Sequence, residues 1–153
     1  MLYRAFKRLR NKRTYPVLSL FEYSPFKNGS FDAVVCGFSF RDAIDFERTV
    51  SELSRILKEK GKLIIVDLGK PDNIFLRTVI GLYWRFLVPI IIRLCFGKLG
   101  RLYSGIYMTY CRYPTNREIK RILLRFFDRT YMKIRVAGGA LIAIAFKPKS
   151  LKA

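Results

Sequence analysis

At 153 residues the chain is long enough for one domain with a substantial core. Its 30 Lys and Arg against 11 Asp and Glu give a net charge of +19, which favours anionic partners: a phosphate-rich membrane surface, nucleic acid or an anionic substrate. The chain has no His, which removes Ser–His and Cys–His nucleophile pairs, and its three Cys, with no C-x-x-C among them, argue against a zinc site or a disulfide framework and for a reducing interior.

Residues 1–13 form an amphipathic helix candidate, with Leu2, Phe6 and Leu9 on one face and Arg and Lys on the rest. The basic start lacks an apolar segment of the kind that makes a signal peptide. Asn28-Gly29-Ser30 is a turn signal. Phe31–Gly37 is a short apolar run of the kind found in a strand buried on both faces. Phe46, Val50, Leu53 and Leu57 then recur at helical spacing, with Asp42 or Asp45 as N-cap and Gly61 as a left-handed stop. Leu63–Leu68 is a second buried strand. Two strands joined by a helix make a right-handed crossover and lie parallel. Ligands in such sheets sit at the carboxyl ends of the strands, which here are Cys36–Asp42 and Asp67–Pro71.

Residues 72–113 are rich in aliphatic and aromatic side chains interrupted by Arg and Lys. The spacing predicts two helices, broken at Pro89 or at Gly97 to Gly100. Three readings fit: a helical pair closing the core, a lid over a hydrophobic substrate, or an interfacial helix with Tyr83, Trp84 and the arginines at headgroup level. The charge-free run Phe86–Ile92 is far shorter than the roughly 20 residues of a membrane span, so no transmembrane helix is expected. Thr115 with Glu118 forms a capping box for a helix whose apolar face is Ile119, Ile122, Leu123 and Phe126. Tyr131–Val136 and Ala140–Phe146 read as an antiparallel pair turning at Gly138-Gly139, with 149–153 a tail.

The segments Phe31-Asp32, Phe38-Ser39-Phe40-Arg41-Asp42, Leu57-Lys58-Glu59-Lys60-Gly61 and Asp67-Leu68-Gly69-Lys70-Pro71 keep a familiar order and spacing. Over about residues 1–148 the chain resembles class I S-adenosylmethionine-dependent methyltransferases, in particular the ubiquinone/menaquinone biosynthesis C-methyltransferase family. The resemblance implies an α/β, Rossmann-like sheet of family order 3-2-1-4-5-7-6. The chain would carry its strands 3 to 7 as one domain, with 72–113 as a helical insertion and a C-terminal antiparallel strand pair. It places the third strand at Pro16–Leu20 and matches Glu22-Tyr23-Ser24-Pro25-Phe26 to a family loop. No counterpart of the glycine-rich cofactor turn is seen, so a partial fold that can be inactive as a fragment is implied, with strand 31–37 left bare for a partner or second copy.

By the same resemblance, the adenine side of an S-adenosylmethionine site maps to Leu20, Phe21 and Gly37. The family usually carries Asn-Ala or Asp-Ala, and often Ser, at those positions. Arg41 matches the family arginine that orients or deprotonates substrate, with Asp42 beside it where the family has Asn. A planar, permanently charged guanidinium suits a phenolate or a carboxylate, and an ion pair with Asp42 or Asp45 is the structural alternative. Asp67 and Tyr103 map to the substrate side. The implied function is C-methylation of a quinone or polyprenyl aromatic precursor or a similar hydrophobic small molecule. The implied location is the cytoplasm, with peripheral membrane contact through 74–103. No metal is implied. The absence of Gln is in keeping with a thermophilic source. A non-catalytic interaction protein is the alternative, and a nucleic-acid binder ranks last for want of a recognition motif.

Overall fold

The computed structural model describes residues 14–96 and 105–149. Strand β1 is Phe31–Gly37. Helix α1 follows at Phe46–Ile56, capped by Asp45, whose carboxylate accepts the Arg48 N–H at 3.0 Å. Its last carbonyls are met by the turn that precedes β1: Gly29 N–H donates to Arg55 and Ser30 N–H to Ile56. Gly29 has φ +62, which the turn requires of a glycine.

The helix does not reach Gly61. Leu57 turns extended at once (φ −79, ψ 143), and strand β2 runs Leu57–Leu68. It pairs parallel with β1, Phe31 opposite Leu57 and Ala33 opposite Lys62, so β2 bulges between these pairs. A Cβ on Gly61 would lie 2.8 Å from the Lys58 carbonyl, so this glycine serves the bulge rather than a helix stop.

The predicted break at Pro89 is absent. Helix α2 runs Ile74–Leu82, passes through a π turn at Tyr83–Leu87, and continues as Val88–Phe96. Within that turn the Val88 N–H reaches the Tyr83 carbonyl, so the ladder is already shifted where proline removes a donor. The stretch Ile74–Cys95 is, by length and composition, apolar enough to cross a membrane, which corrects the reading based on Phe86–Ile92 alone. The predicted break at 97–100 and the helix at 1–13 lie outside the described residues.

Helix α3 is Gly105–Arg112 and helix α4 is Asn116–Phe126, with both halves of the Thr115–Glu118 capping box formed. Strand β3 is Phe127–Arg135 and strand β4 is Ala140–Pro148. The connection between them carries positive φ at Val136, Ala137 and Gly138.

The sheet order is β1-β2-β4-β3, parallel between β1 and β2 and antiparallel elsewhere. This is the 4-5-7-6 portion of the expected order. Residues 16–20, expected as a third strand, form only an isolated bridge between Leu20 and Tyr23. Among the described residues no strand lies beyond β1 for them to join.

The core is one-sided. Cys36, Leu63, Ile65, Leu141, Ala143 and Ala145 point from the sheet toward Val50 and Leu53 of α1 and Ile119 and Leu123 of α4. A fully buried aliphatic of this kind contributes about 1.5–3 kcal/mol. Alternate residues face the other way, and Val35, Tyr131 and Ile142 are exposed. Strand β1 is therefore buried on one face, not both, because among the described residues nothing covers its second face.

Candidate functional site at the carboxyl ends of the parallel strands

Strand β1 leaves the sheet through Phe38, held at φ 53 with its N–H on the Val66 carbonyl at 2.8 Å. A bulky residue in the left-handed region is strained, and such residues gather at functional sites. A 3₁₀ turn, Phe40–Asp42, then drops Phe40 into the core against Phe46 and Tyr113, with ring centroids 5.6 and 6.3 Å away. Burying Phe40 fixes where the next residue, Arg41, can point.

Arg41 is clamped by Asp67 at the end of β2. Its backbone N–H donates to Asp67 Oδ2 at 3.1 Å and its Nη1 to Asp67 Oδ1 at 3.2 Å, while Nη1 also donates to the Phe38 carbonyl. Leu68 N–H completes the shell of Asp67 at 2.7 Å. The Asp67 side chain is 0% exposed and that of Arg41 19%. A buried carboxylate with three donors holds the guanidinium at the strand ends, and among the described residues Nη2 has no hydrogen-bond partner. Asp42 is more open, its Oδ1 3.9 Å from Arg41 Nε. Arg41 thus pairs with Asp67 across the crossover and more loosely with Asp42, but not with Asp45, which caps α1.

Two further groups line this cluster from within. Burial, followed by the charge of Asp67, pushes the Cys36 thiol up to about 11. The same two causes keep the Tyr113 phenol protonated well above its ordinary range. Its hydroxyl is buried and lacks a hydrogen-bond partner among the described residues.

The opposite end of β1 carries a different hollow. Leu20, Phe21, Phe26, Phe31, Val34 and Leu53 line an apolar groove of about 360 Å³. Its floor is tied to α1 by Glu22, whose Oε1 accepts from Ile44 N–H (2.8 Å), Asp45 N–H (3.1 Å) and Thr49 Oγ1 (3.2 Å). Desolvation works to raise the Glu22 pKa, but these hydrogen bonds together hold it below the usual carboxylate value.

The profile of the ubiE/COQ5 methyltransferase family matches residues 1–146. The chain belongs to this family. A demethylmenaquinone methyltransferase of Oceanobacillus iheyensis is 30% identical over 124 residues, covering 80% of this chain and 52% of that protein. The ubiquinone/menaquinone biosynthesis C-methyltransferase UbiE of Wigglesworthia glossinidia brevipalpis is 29% identical, covering 90% of this chain and 56% of its own length. The chain thus spans about half the length of the curated relatives it matches. Among solved structures, a SAM dependent methyltransferase from Aquifex aeolicus superposes with TM-score 0.56 at 14% identity, over 95% of this chain and 61% of that one. The CurJ carbon methyltransferase gives 0.61 at 18% identity, over 97% and 39%. These likenesses are of fold.

Family and fold imply S-adenosylmethionine, and the residues present suit part of it. The groove beside Leu20 and Phe21 is largely apolar, and Gly37 leaves open space around its Cβ position. Gly37 does not line that groove, so the three expected adenine contacts do not converge in one hollow. Among the groove's lining residues there is no carboxylate for a ribose diol. Arg41, Asp42 and Asp67 do come together, while Tyr103 lies outside the described residues. Sequence reasoning missed Tyr113 and Cys36 as neighbours of the Arg41–Asp67 pair. Their contact is made by folding across long separations, and no local pattern marks it. Glu22 carried a signal in the Glu22–Phe26 match, which pointed to a loop but not to its pinning of α1.

Proposed function

We propose that this domain contributes the substrate side of a S-adenosylmethionine-dependent C-methyltransferase acting on a hydrophobic aromatic ring of the quinol type. The observation that carries the reading is the Arg41–Asp67 clamp at the ends of the parallel strands, in a chain of this family. S-adenosylmethionine, when bound, supplies the methyl group. Methylation at a ring carbon needs electron density there, and loss of a phenolic proton provides it. Arg41 offers a permanent positive charge and an open Nη2 donor to the resulting phenolate, a planar match that lysine does not reproduce. Asp67 acts through Arg41 as a positioning residue, and the exposed Asp42 can relay the proton outward.

Calorimetric titration of S-adenosylmethionine into the full chain is the first test, followed by methyl transfer to a demethylated quinol. Saturable micromolar binding supports the reading, and Arg41→Ala is then expected to lower kcat by about 10²-fold or more. No binding overturns activity of this chain on its own, and methyl transfer that Arg41→Ala leaves unchanged overturns the role of the clamp.

A second reading is favoured by the groove and by the outer edge of β1, which no strand pairs among the described residues and where Val35 is 67% exposed. In it, the sheet is completed by a partner or a second copy. Light scattering across a concentration series distinguishes the two: a monomer throughout removes the second copy, and a dimer lost on Val35→Lys supports it.

A further inference from the structure

We propose that helix α2 lies in the surface of an anionic lipid bilayer and that Lys70, Arg77 and Arg85 together take the phosphate of a lipid headgroup. The helix turns one narrow row inward, Leu76, Ile80, Trp84, Val88 and Ile92, every fourth residue. Its other sides are apolar and open: Phe75, Val79, Leu82, Phe86, Ile90 and Leu94 are between 48% and 82% exposed. Only 6% of the most apolar window of Ile74–Cys95 is buried. An exposed apolar helix of this length on a water-soluble surface is unfavourable, and contact with acyl chains relieves it.

Charge selects the occupant. Between Asp72 and Glu118 the sequence holds seven basic residues, Arg77, Arg85, Arg93, Lys98, Arg101, Arg112 and Arg117, and no acidic one. An anionic bilayer answers both the apolar face and the cations along the whole helix, which a protein partner does only with an acidic rim of its own. The helix lies along the surface rather than across it. Arg85 stands near its middle and would carry a charge to the bilayer centre, which is strongly disfavoured, while arginines along an in-plane helix reach headgroups by extending their stems.

Between α2 and α3 lies a hollow of about 310 Å³ lined by Lys70, Arg77, Thr78, Arg85, Tyr107 and Tyr110, with no carboxylate among its lining residues. The Lys70 ammonium is fixed there by the carbonyls of Cys111 (2.9 Å) and Tyr113 (2.8 Å) and lies 5.7 Å from the Tyr110 ring centre. The Arg85 guanidinium stacks 5.6 Å over Tyr107, and the Tyr110 hydroxyl donates to the Arg77 carbonyl at 3.2 Å. Three cations thus line one space that holds no carboxylate, Glu118 acting on Lys70 from outside it. Burial, and then the charge of Arg77, lowers the Lys70 pKa, outweighing the opposing charges of Cys111 and Glu118. A phosphate is the matching ligand, because it accepts from a guanidinium fork and a lysine at once. Leu82, one of the exposed apolar residues of α2, also lines the hollow.

The test is flotation of the full chain with vesicles of phosphatidylcholine alone and with roughly a third phosphatidylglycerol. Flotation is expected with the anionic vesicles only, weakening with added salt. Phe86→Glu, at an exposed site and with its fold checked by circular dichroism, is expected to abolish it. Arg77→Ala with Arg85→Ala is expected to lower vesicle affinity by about 30-fold, more than Lys62→Ala with Arg129→Ala on the sheet. Equal flotation of both double variants overturns the headgroup site. Absence of flotation, with or without dimerisation through α2, overturns the bilayer as occupant. Inorganic phosphate displacing the chain more than chloride of equal ionic strength would assign the hollow to a soluble phosphate compound instead. Flotation needs neither cofactor nor quinol, so its failure leaves the methyltransferase reading standing.

Discussion

Helices α4 and α2 invert the usual link between apolar content and burial. Helix α4 carries five charged residues in eleven, yet Ile119 and Leu123 are 0% exposed. Helix α2 is far more apolar and stays largely uncovered. The difference lies in placement. The apolar residues of α4 fall at spacings of three and four on one stripe that meets α1 and the sheet, while those of α2 surround the helix and only one row finds the body. Burial follows the stripe a helix can present, and the surplus on α2 is left for another phase.

Thiol reactivity should show the largest contrast. Cys95 on α2 is exposed and Cys36 in the core is not, with its thiol pushed up to about 11. With a disulfide reagent at mildly alkaline pH, Cys95 and Cys111 should react more than about 100-fold faster than Cys36. Three equally fast thiols would mean that the core around Asp67 is open. Next in size, Leu123→Ala should cost about 2–5 kcal/mol in urea unfolding, whereas Leu94→Ala, at 82% exposure, should fall within about 0.5 kcal/mol. Comparable losses would erase the distinction between the helices.

Thr115→Ala should remove about 1 kcal/mol by undoing the capping box of α4. The same box gives α4 a pH dependence. Hydrogen bonds from the Thr115 backbone and then its hydroxyl hold the Glu118 pKa below its ordinary 4.5. The folded value lies below the unfolded one, so the stabilisation is complete above the unfolded value and is lost as pH falls through the folded one. Glu118→Gln should flatten the fall of stability with pH below about 4.5. Smallest of all, Arg125→Ala should change stability by under about 1 kcal/mol, since its pair with Glu47 is exposed on both sides.

Periodic and capping signals are legible in the sequence: β1 falls at Phe31–Gly37 as expected, Asp45 caps α1, and the Thr115 box is formed. Each is decided by neighbours within a few residues. Gly61 was misread because a glycine after a helical run signals a left-handed cap unless a bulge claims it, and the bulge depends on register with β1. Of the two alternative break points, Pro89 fails because a π turn one step earlier absorbs the missing donor. At the site, Arg41 and Asp42 are sequence neighbours and were paired in anticipation. The partner that grips Arg41 is 26 residues away, reached only after β1 and β2 align in parallel.

The central position of β4 has a consequence for how the chain is made. Strand β2 ends at Leu68 and its second neighbour begins at Ala140, so the whole of α2, α3, α4 and β3 leaves the ribosome before the sheet can close. At roughly 5–20 residues per second, β2 waits about 4–14 s with one edge unpaired while α2 is already outside the exit tunnel. A nascent chain in that interval shows an open strand and an uncovered apolar helix together. Translation beside a membrane would occupy the helix first and leave only the strand to be shielded.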